Sequence, residues 1–151
     1  MIHNQYSDRE YLEPTFIGRT VDGDREYMCP YDKDTIIVRD NVFYGRCATC
    51  QMLYIDYKPE PHQVEFHASD SKYRLALGGY GTGKTTMCCA EVADHVYSTS
   101  NGRTLITAPK LQLFEDAILT ELLKFFPKDI YTSKKSPWSF KVANGHEIVV
   151  Y

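Results

Sequence analysis

A glycine-rich stretch in the middle of the chain constrains its fold more than any other feature. Residues 78–86 read Gly78-Gly79-Tyr80-Gly81-Thr82-Gly83-Lys84-Thr85-Thr86, which fits the pattern G-x-x-x-x-G-K-[ST] of a phosphate-binding loop. Glycines permit backbone angles that a Cβ forbids, so successive N–H groups can turn inward around phosphate oxygens. The pattern predicts that Lys84 contacts the β- and γ-phosphates and that the Thr85 hydroxyl binds Mg²⁺.

The segments on either side of this loop have the pattern that a phosphate-binding loop requires. Residues 73–77 read as a short apolar strand, and residues 85–98 read as a helix whose N-terminus would add the positive end of its dipole. A strand at 103–107, an apolar helix at 110–126 and a hairpin around Asn144-Gly145 follow. This order predicts an α/β fold, the first part of a RecA-like P-loop NTPase sheet.

The first part of the chain has a different character. Residues 1–15 are polar and read as an N-terminal arm, whereas residues 16–57 contain short β-type runs separated by turn signals. About 40 residues of short strands bury little apolar surface, so such units are usually stapled by a metal or by disulfides. Cys47-Ala48-Thr49-Cys50 and Cys29-Pro30-Tyr31-Asp32 resemble the two ligand pairs of a zinc ribbon, with Asp32 in place of a fourth cysteine.

The fourth metal ligand stays open at the level of the sequence. A carboxylate can bind zinc, so Asp32 is one candidate, and Asp34, His3 or another histidine are alternatives. The competing interpretation is a small β-module with free thiols and no metal. A redox role for the C-x-x-C pair is not favoured, because no thioredoxin-like βαβ pattern surrounds it.

Two prolines in residues 58–61 predict a linker, followed by the ATPase part at 62–151. Just after the linker, Gln63 stands fifteen residues before the loop. A carboxamide donates and accepts at once and so matches the N6/N7 edge of adenine, which makes Gln63 a candidate for reading the base.

The composition of the chain places few limits on its function or location. The chain has 151 residues, 43% of them hydrophobic and 25% charged, with a net charge of −3. No apolar run approaches the ~20 residues that span a bilayer, and the N-terminus has no secretory signal pattern, so we expect an intracellular protein. The overall charge does not by itself indicate a nucleic-acid binder.

Residues 59–151 resemble the start of the ATPase domain of a tailed-phage terminase large subunit, the motor that packages DNA. The resemblance is carried by the segment P-H-Q-V-E-F-H-A-S at 61–69, by the loop, by Thr107-Ala108-Pro109-Lys110 opening a helix, and by the hairpin at 142–148. It implies ATP and Mg²⁺ as cofactors, with Gln63 reading adenine, Gly78 to Thr86 holding the triphosphate and Lys84 as the catalytic lysine. It also implies double-stranded DNA, the terminase small subunit and the portal as partners, a homo-oligomeric motor and the host-cell cytoplasm as location.

The sequence departs from that family in ways that bear on turnover. Tyr80 stands where the family often has an arginine that acts as a transition-state finger in cis. No apolar strand ending in Asp-Glu follows the loop, and clustered acidic ligands of a nuclease domain are missing. We therefore expect an incomplete ATPase domain that holds a nucleotide but does not turn over ATP alone.

Two other functions fit the same residues. A helicase-type DNA translocase shares the glutamine, the loop and the T-A-P segment. The chain could also be a non-catalytic module that contacts DNA or a partner protein through residues 16–57.

Overall fold

The computed structural model describes residues 13–135 and 137–151. Its N-terminal part is an antiparallel sheet in which each strand pairs with the next along the chain. Ile36 and Val38 are buried in its third strand and the residues between and before them are exposed, the period-two pattern of a sheet with one covered face. The strands of this N-terminal sheet are β1 (Thr15–Arg19), β2 (Arg25–Met28), β3 (Thr35–Val38), β4 (Tyr44–Cys47) and β5 (Leu53–Ile55).

The remainder is a mixed sheet with helices packed on it. The C-terminal sheet has the order β6-β9-β8-β7, in which β6 and β9 are parallel and the other neighbours antiparallel. Its strands are β6 (Arg103–Ile106), β7 (Tyr131–Lys135), β8 (Trp138–Val142) and β9 (Glu147–Val150). The helices are α1 (Pro61–Ala68), α2 (Lys84–Ser98), α3 (Leu111–Leu113) and α4 (Leu119–Leu122), with a π-helical turn at Phe114–Ile118 and a 3₁₀ turn at Lys128–Ile130.

One apolar core joins the two sheets. It contains side chains of α2, of the helical segment 111–122 and of the C-terminal sheet, together with Leu53 of β5. The ring of Phe43 stacks on Phe125 with centroids 4.7 Å apart, and Tyr57 packs against the same ring at 5.7 Å. The N-terminal sheet is therefore packed directly on the helical layer. Its own smaller cluster consists of Tyr27, Cys29, Ile36, Val38 and Cys47.

Helix α1 was not predicted, and Pro61, which we assigned to a linker, is its first residue. Proline is tolerated there because the first helical N–H has no partner within the helix. Hydrogen bonds between Glu60 and Gln63 fix this end, in which the Gln63 side chain accepts from the Glu60 N–H at 2.9 Å and the Gln63 N–H donates to the Glu60 carbonyl at 2.8 Å. One proline of the predicted linker thus starts a helix.

Residues 73–77 form no strand, which corrects the prediction made for them. Tyr73, Leu75 and Leu77 alternate as they would in a strand, but they are 83%, 79% and 85% exposed. No described strand pairs with this segment, and a strand needs a neighbour for its N–H and C=O groups. The mixed α/β fold is shown, while its assignment to a P-loop NTPase sheet stays a prediction.

Other elements agree with the sequence or differ by a few residues. α2, β6 and the β8–β9 hairpin confirm the predicted helix, strand and hairpin, and the hairpin is tied to α2 by Asn144 Nδ2 donating to the Val96 carbonyl at 2.7 Å. The predicted helix at 110–126 is broken by the π-helical turn and its last part ends at Leu122. No helix among the described residues is long and apolar enough to cross a membrane.

Candidate functional site

Four side chains of the N-terminal sheet form a compact group of metal-ligand types. The ligand atoms of Cys29, Asp32, Cys47 and Cys50 all lie within 4.8 Å of one another. The sulfurs of Cys29 and Cys50 are 3.5 Å apart, and the Cys47 sulfur lies 3.3 and 3.4 Å from the two Asp32 carboxylate oxygens. The structure thus brings together all four residues that the sequence predicted for this site.

The two ligand pairs lie on turns of the same backbone form, which we call knuckles (residues 29–34 and 47–52). In each knuckle the carbonyl of the first cysteine accepts an N–H from four residues on, Lys33 at 3.0 Å and Gln51 at 3.1 Å. These two donors have positive φ angles of 65° and 61°. The N–H of each first cysteine also donates to the carbonyl five residues later, at 2.8 Å from Cys29 and 3.0 Å from Cys47.

This repeat decides which residue fits as the fourth ligand. Asp32 occupies the place in the first knuckle that Cys50 occupies in the second. The alternative Asp34 is engaged elsewhere, because its carboxylate accepts from the Thr49 hydroxyl and the Thr35 N–H, both at 2.8 Å. His3 lies outside the described residues.

The pKa values of Asp32 and Cys47 fit a site that releases protons when a metal binds. A hydrogen bond from the Asp34 N–H, followed by smaller contributions from the thiols, lowers the pKa of Asp32 to about 2. Burial raises the pKa of the Cys47 thiol above its usual range. Asp32 is therefore a carboxylate at neutral pH, whereas the thiols lose protons when a metal binds.

Three thiols and one carboxylate can hold a metal ion such as Zn²⁺ in a tetrahedral arrangement. Four protein ligands would leave no open position for water or substrate, so the site suits a structural role. Two of the five side chains in the small core of the N-terminal sheet are the ligands Cys29 and Cys47. A bound metal would thus fix the interior of this sheet.

The glycine-rich loop leads directly into α2. Gly81 and Gly83 have φ angles of +78° and +71°, a region that side-chain-bearing residues adopt at a cost, and Gly83 is the N-cap of the 15-residue helix. The Lys84 amine is folded back over the loop, where it donates to the carbonyls of Gly78 at 2.8 Å and Gly79 at 2.5 Å and contacts the Thr82 hydroxyl at 3.1 Å. The loop residues from Gly78 to Thr82 are exposed.

The two threonines after Lys84 have different surroundings. Thr85, the predicted Mg²⁺ ligand, is exposed in the first turn of α2. The Thr86 hydroxyl donates to the Glu121 carboxylate at 2.8 Å. Burial raises the pKa of Glu121, but hydrogen bonds from Lys124 and Thr86 outweigh it, and the pKa lies below its usual value.

Gln63 of α1 is the candidate for reading adenine. Its side chain is buried and contacts the loop. Its Oε1 accepts from the Glu60 N–H at 2.9 Å and from the Tyr57 hydroxyl at 3.1 Å, and its Nε2 donates to the Gly83 carbonyl at 3.4 Å. Its carboxamide oxygen is thus occupied by the protein itself. A Cβ at Gly83 would lie 2.7 Å from Nε2, so this contact requires glycine.

A cavity of about 490 Å³ lies between α1, residues 73–77 and the loop. Gln63 and Lys84 both line it, so the structure brings these two predicted site residues to the same opening. Its lining also includes His62, Glu65, Phe66, Arg74, Gly78, Thr82 and Met87.

Sequence reasoning missed a set of side chains that hold this cavity together. Arg74 forms an ion pair with Glu91 and donates to the Phe66 carbonyl at 2.9 Å. The other Glu91 oxygen lies 2.5 Å from His67 Nδ1, and His67 Nε2 lies 3.0 Å from the Tyr57 hydroxyl. These contacts fasten the segment before the loop to α1 and α2 without strand pairing. No local pattern signals them, because the partners are far apart in the sequence.

Comparison with family models, with characterised proteins and with solved structures found no match. The metal-ligand group and the cavity at the loop are the two features of the chain that bear on its function.

Proposed function

We propose that the chain binds a nucleoside triphosphate, ATP with Mg²⁺, in the cavity beside the glycine-rich loop. The observation that carries this proposal is the cavity itself, which Lys84, the loop and the buried Gln63 of α1 all line. A volume of about 490 Å³ lies within the range of ordinary ligand pockets. The loop motif thus lies at a cavity of ligand size, which supports binding of the nucleotide there.

The chemistry of the loop supports phosphate binding. The Lys84 amine now contacts the Gly78 and Gly79 carbonyls, and an anionic phosphate would be a stronger partner for it. The free N–H groups at the start of α2 and the dipole of this helix would favour the same anion. Mg²⁺ would compensate the phosphate charge, with the exposed Thr85 hydroxyl within the first turn as its protein ligand.

We further propose that this nucleotide site serves a DNA-translocating motor of the terminase large-subunit type. The support is the resemblance of residues 59–151, together with a β8–β9 hairpin at the place where that family has one. Double-stranded DNA, a small subunit, a portal and further copies of the motor are the partners that such a function requires. A carboxylate pair for activating water is missing from the sequence, so the proposal is binding by this chain without steady turnover.

A second proposal concerns the N-terminal sheet, because the metal-ligand group is a separate site. We propose that it binds Zn²⁺ as a structural staple.

The nucleotide proposal is tested by calorimetric titration of the zinc-loaded chain with MgATP. Lys84→Ala removes the charged donor, and we expect about 10- to 100-fold weaker binding. Lys128→Ala is the matched control, because Lys128 is an exposed lysine that does not line the cavity. Absence of binding, or equal binding by wild type and Lys84→Ala, would contradict the proposal.

A further inference from the structure

Residues outside the glycine-rich loop contact it on both sides of Lys84 and Thr85, at Gly83 and at Thr86. On one side, Tyr57 stands two residues after β5, and its hydroxyl donates to Gln63 Oε1 at 3.1 Å. The Glu60 N–H donates to the same oxygen at 2.9 Å, so the carboxamide is held with Nε2 toward the Gly83 carbonyl. This route ends at the residue immediately before Lys84.

A second route reaches the other side of Lys84. The Phe43 N–H donates to the Lys124 carbonyl at 2.8 Å, and the Lys124 amine forms an ion pair with Glu121. The free oxygen of Glu121 accepts from the Thr86 hydroxyl at 2.8 Å. This route ends at the residue immediately after Thr85.

Both routes begin at the ends of β4 and β5 that lie away from the second metal knuckle, and this knuckle connects the two strands. Cys47 is the last residue of β4, and Cys50 lies three residues before β5 begins at Leu53. Phe43 immediately precedes β4 and Tyr57 follows β5, and the two aromatic rings are 5.8 Å apart. A metal that clamps Cys47 and Cys50 therefore fixes the pair of strands from which both routes start.

We infer that Tyr57 and Glu121 are positioning residues of the nucleotide site, and that metal binding raises nucleotide affinity through them. This inference rests on the proposed nucleotide binding. Neither side chain lines the cavity. Tyr57 acts through Gln63, which contacts Gly83, and through His67, whereas Glu121 acts through Thr86. Because such a coupling is reciprocal, bound nucleotide must also strengthen metal binding by the same factor.

The first arm of the test uses the zinc-loaded chain and titration with MgATP. We expect Tyr57→Phe and Glu121→Ala each to weaken binding about five-fold, since each removes one hydrogen bond that orders the loop. Tyr131→Phe is the control for the loss of a phenol hydroxyl, because Tyr131 is a half-buried tyrosine that packs against the same core. Glu115→Ala is the control for the carboxylate, since Glu115 accepts from Trp138 Nε1 at 2.8 Å, away from the loop.

The second arm compares zinc-loaded with chelator-treated protein. Metal removal should weaken MgATP binding by wild type about ten-fold, and the double variant Tyr57→Phe/Glu121→Ala should lose most of this difference. Conversely, MgATP should slow the transfer of zinc from wild type to a chromogenic chelator. A general loss of stability would not make the metal dependence disappear in the double variant.

The outcomes separate this inference from the function on which it rests. If MgATP binds in a Lys84-dependent way and both variants match their controls, the coupling is overturned and the nucleotide site stands. If wild type shows no Lys84-dependent binding, both are overturned. Where circular dichroism shows that the chelated protein unfolds, the zinc-loaded comparison of Tyr57→Phe and Glu121→Ala with their controls decides.

Discussion

At the scale of single residues, the mixed ligand set makes a measurable difference to metal binding. Asp32 holds the knuckle position that Cys50 holds in the other knuckle, and its carboxylate lies 3.3 Å from the Cys47 sulfur. We expect Asp32→Ala to weaken zinc binding by more than the roughly 10–100-fold that loss of an outer hydrogen bond costs, because a direct ligand is lost. Competition with a chromogenic chelator of known affinity measures this change.

Two further variants of the first knuckle complete this test. Asp32→Cys restores a four-thiolate set and should bind zinc at least as tightly as wild type. Asp34→Asn changes the carboxylate that accepts from Thr49 and should leave zinc affinity within a few-fold of wild type. Equal losses in Asp32→Ala and Asp34→Asn would show that Asp32 is not a ligand.

A glycine of the loop gives a second test at this scale. Gly83→Ala places a Cβ at φ +71° and 2.7 Å from Gln63 Nε2, so we expect it to reduce the free energy of unfolding by about 1–3 kcal/mol. Gly79→Ala meets nothing within 4 Å and has no positive φ, and it should change stability by less than about 1 kcal/mol. Chemical denaturation of the zinc-loaded proteins compares them, and equal destabilisation would contradict the role given to Gly83.

The sequence predicted the metal-ligand residues, but it did not predict the contacts that hold the glycine-rich loop. Cysteine spacing is a local signal, and the four ligands Cys29, Asp32, Cys47 and Cys50 come together in the structure. The contact of Gln63 with Gly83 spans 20 residues, and that of Thr86 with Glu121 spans 35. Such pairs depend on how helices pack, which no local pattern encodes.

At the scale of elements, the hydrogen bond from Thr86 of α2 to Glu121 of α4 makes a pH-dependent contribution to stability. Hydrogen bonds from Lys124 and Thr86 outweigh burial and lower the pKa of Glu121. A carboxyl group whose folded pKa is lowered adds stability above its unfolded pKa of about 4.3, and this stability is lost as the pH falls through the folded value. Glu121→Gln should therefore cost about 1 kcal/mol at pH 7 and less at pH 3.

Urea unfolding of wild type and Glu121→Gln at several pH values measures this difference. Comparing the two proteins at each pH removes effects that both share, including any loss of metal in acid. A difference that stays constant between pH 7 and pH 3 would show that the charge of Glu121 contributes nothing to the contact between the two helices.

The elements that the sequence predicted well carry strong local signals. The period of α2 and the Asn144-Gly145 turn are of this kind, and both are found in the structure. The α1 helix was missed because two prolines were read as breaks, although Pro61 fits the first helical position. Residues 73–77 show the opposite case, since a good strand pattern forms no strand without a described neighbour to pair with.

At the scale of the whole molecule, the metal-ligand group and the loop belong to one packed body. The main core includes Leu53 of the N-terminal sheet together with α2 and the C-terminal sheet. The sequence suggested two modules and a linker, because two prolines stand within residues 58–61. The prolines do not reveal that Phe43 stacks on Phe125 or that Tyr57 reaches Gln63.

This shared core predicts a graded response to metal removal. The small cluster around Cys29 and Cys47 has few other apolar members, so strands β2 to β4 should lose hydrogen-exchange protection most strongly when zinc is chelated. The middle of α2, with Ala93 and Val96 fully buried in the main core, should keep most of its protection. Hydrogen-exchange mass spectrometry of zinc-loaded and chelated protein measures both regions at once. Uniform loss of protection across the chain would mean that the metal stabilises the whole fold, and no change in β2 to β4 would mean that the N-terminal sheet does not need it.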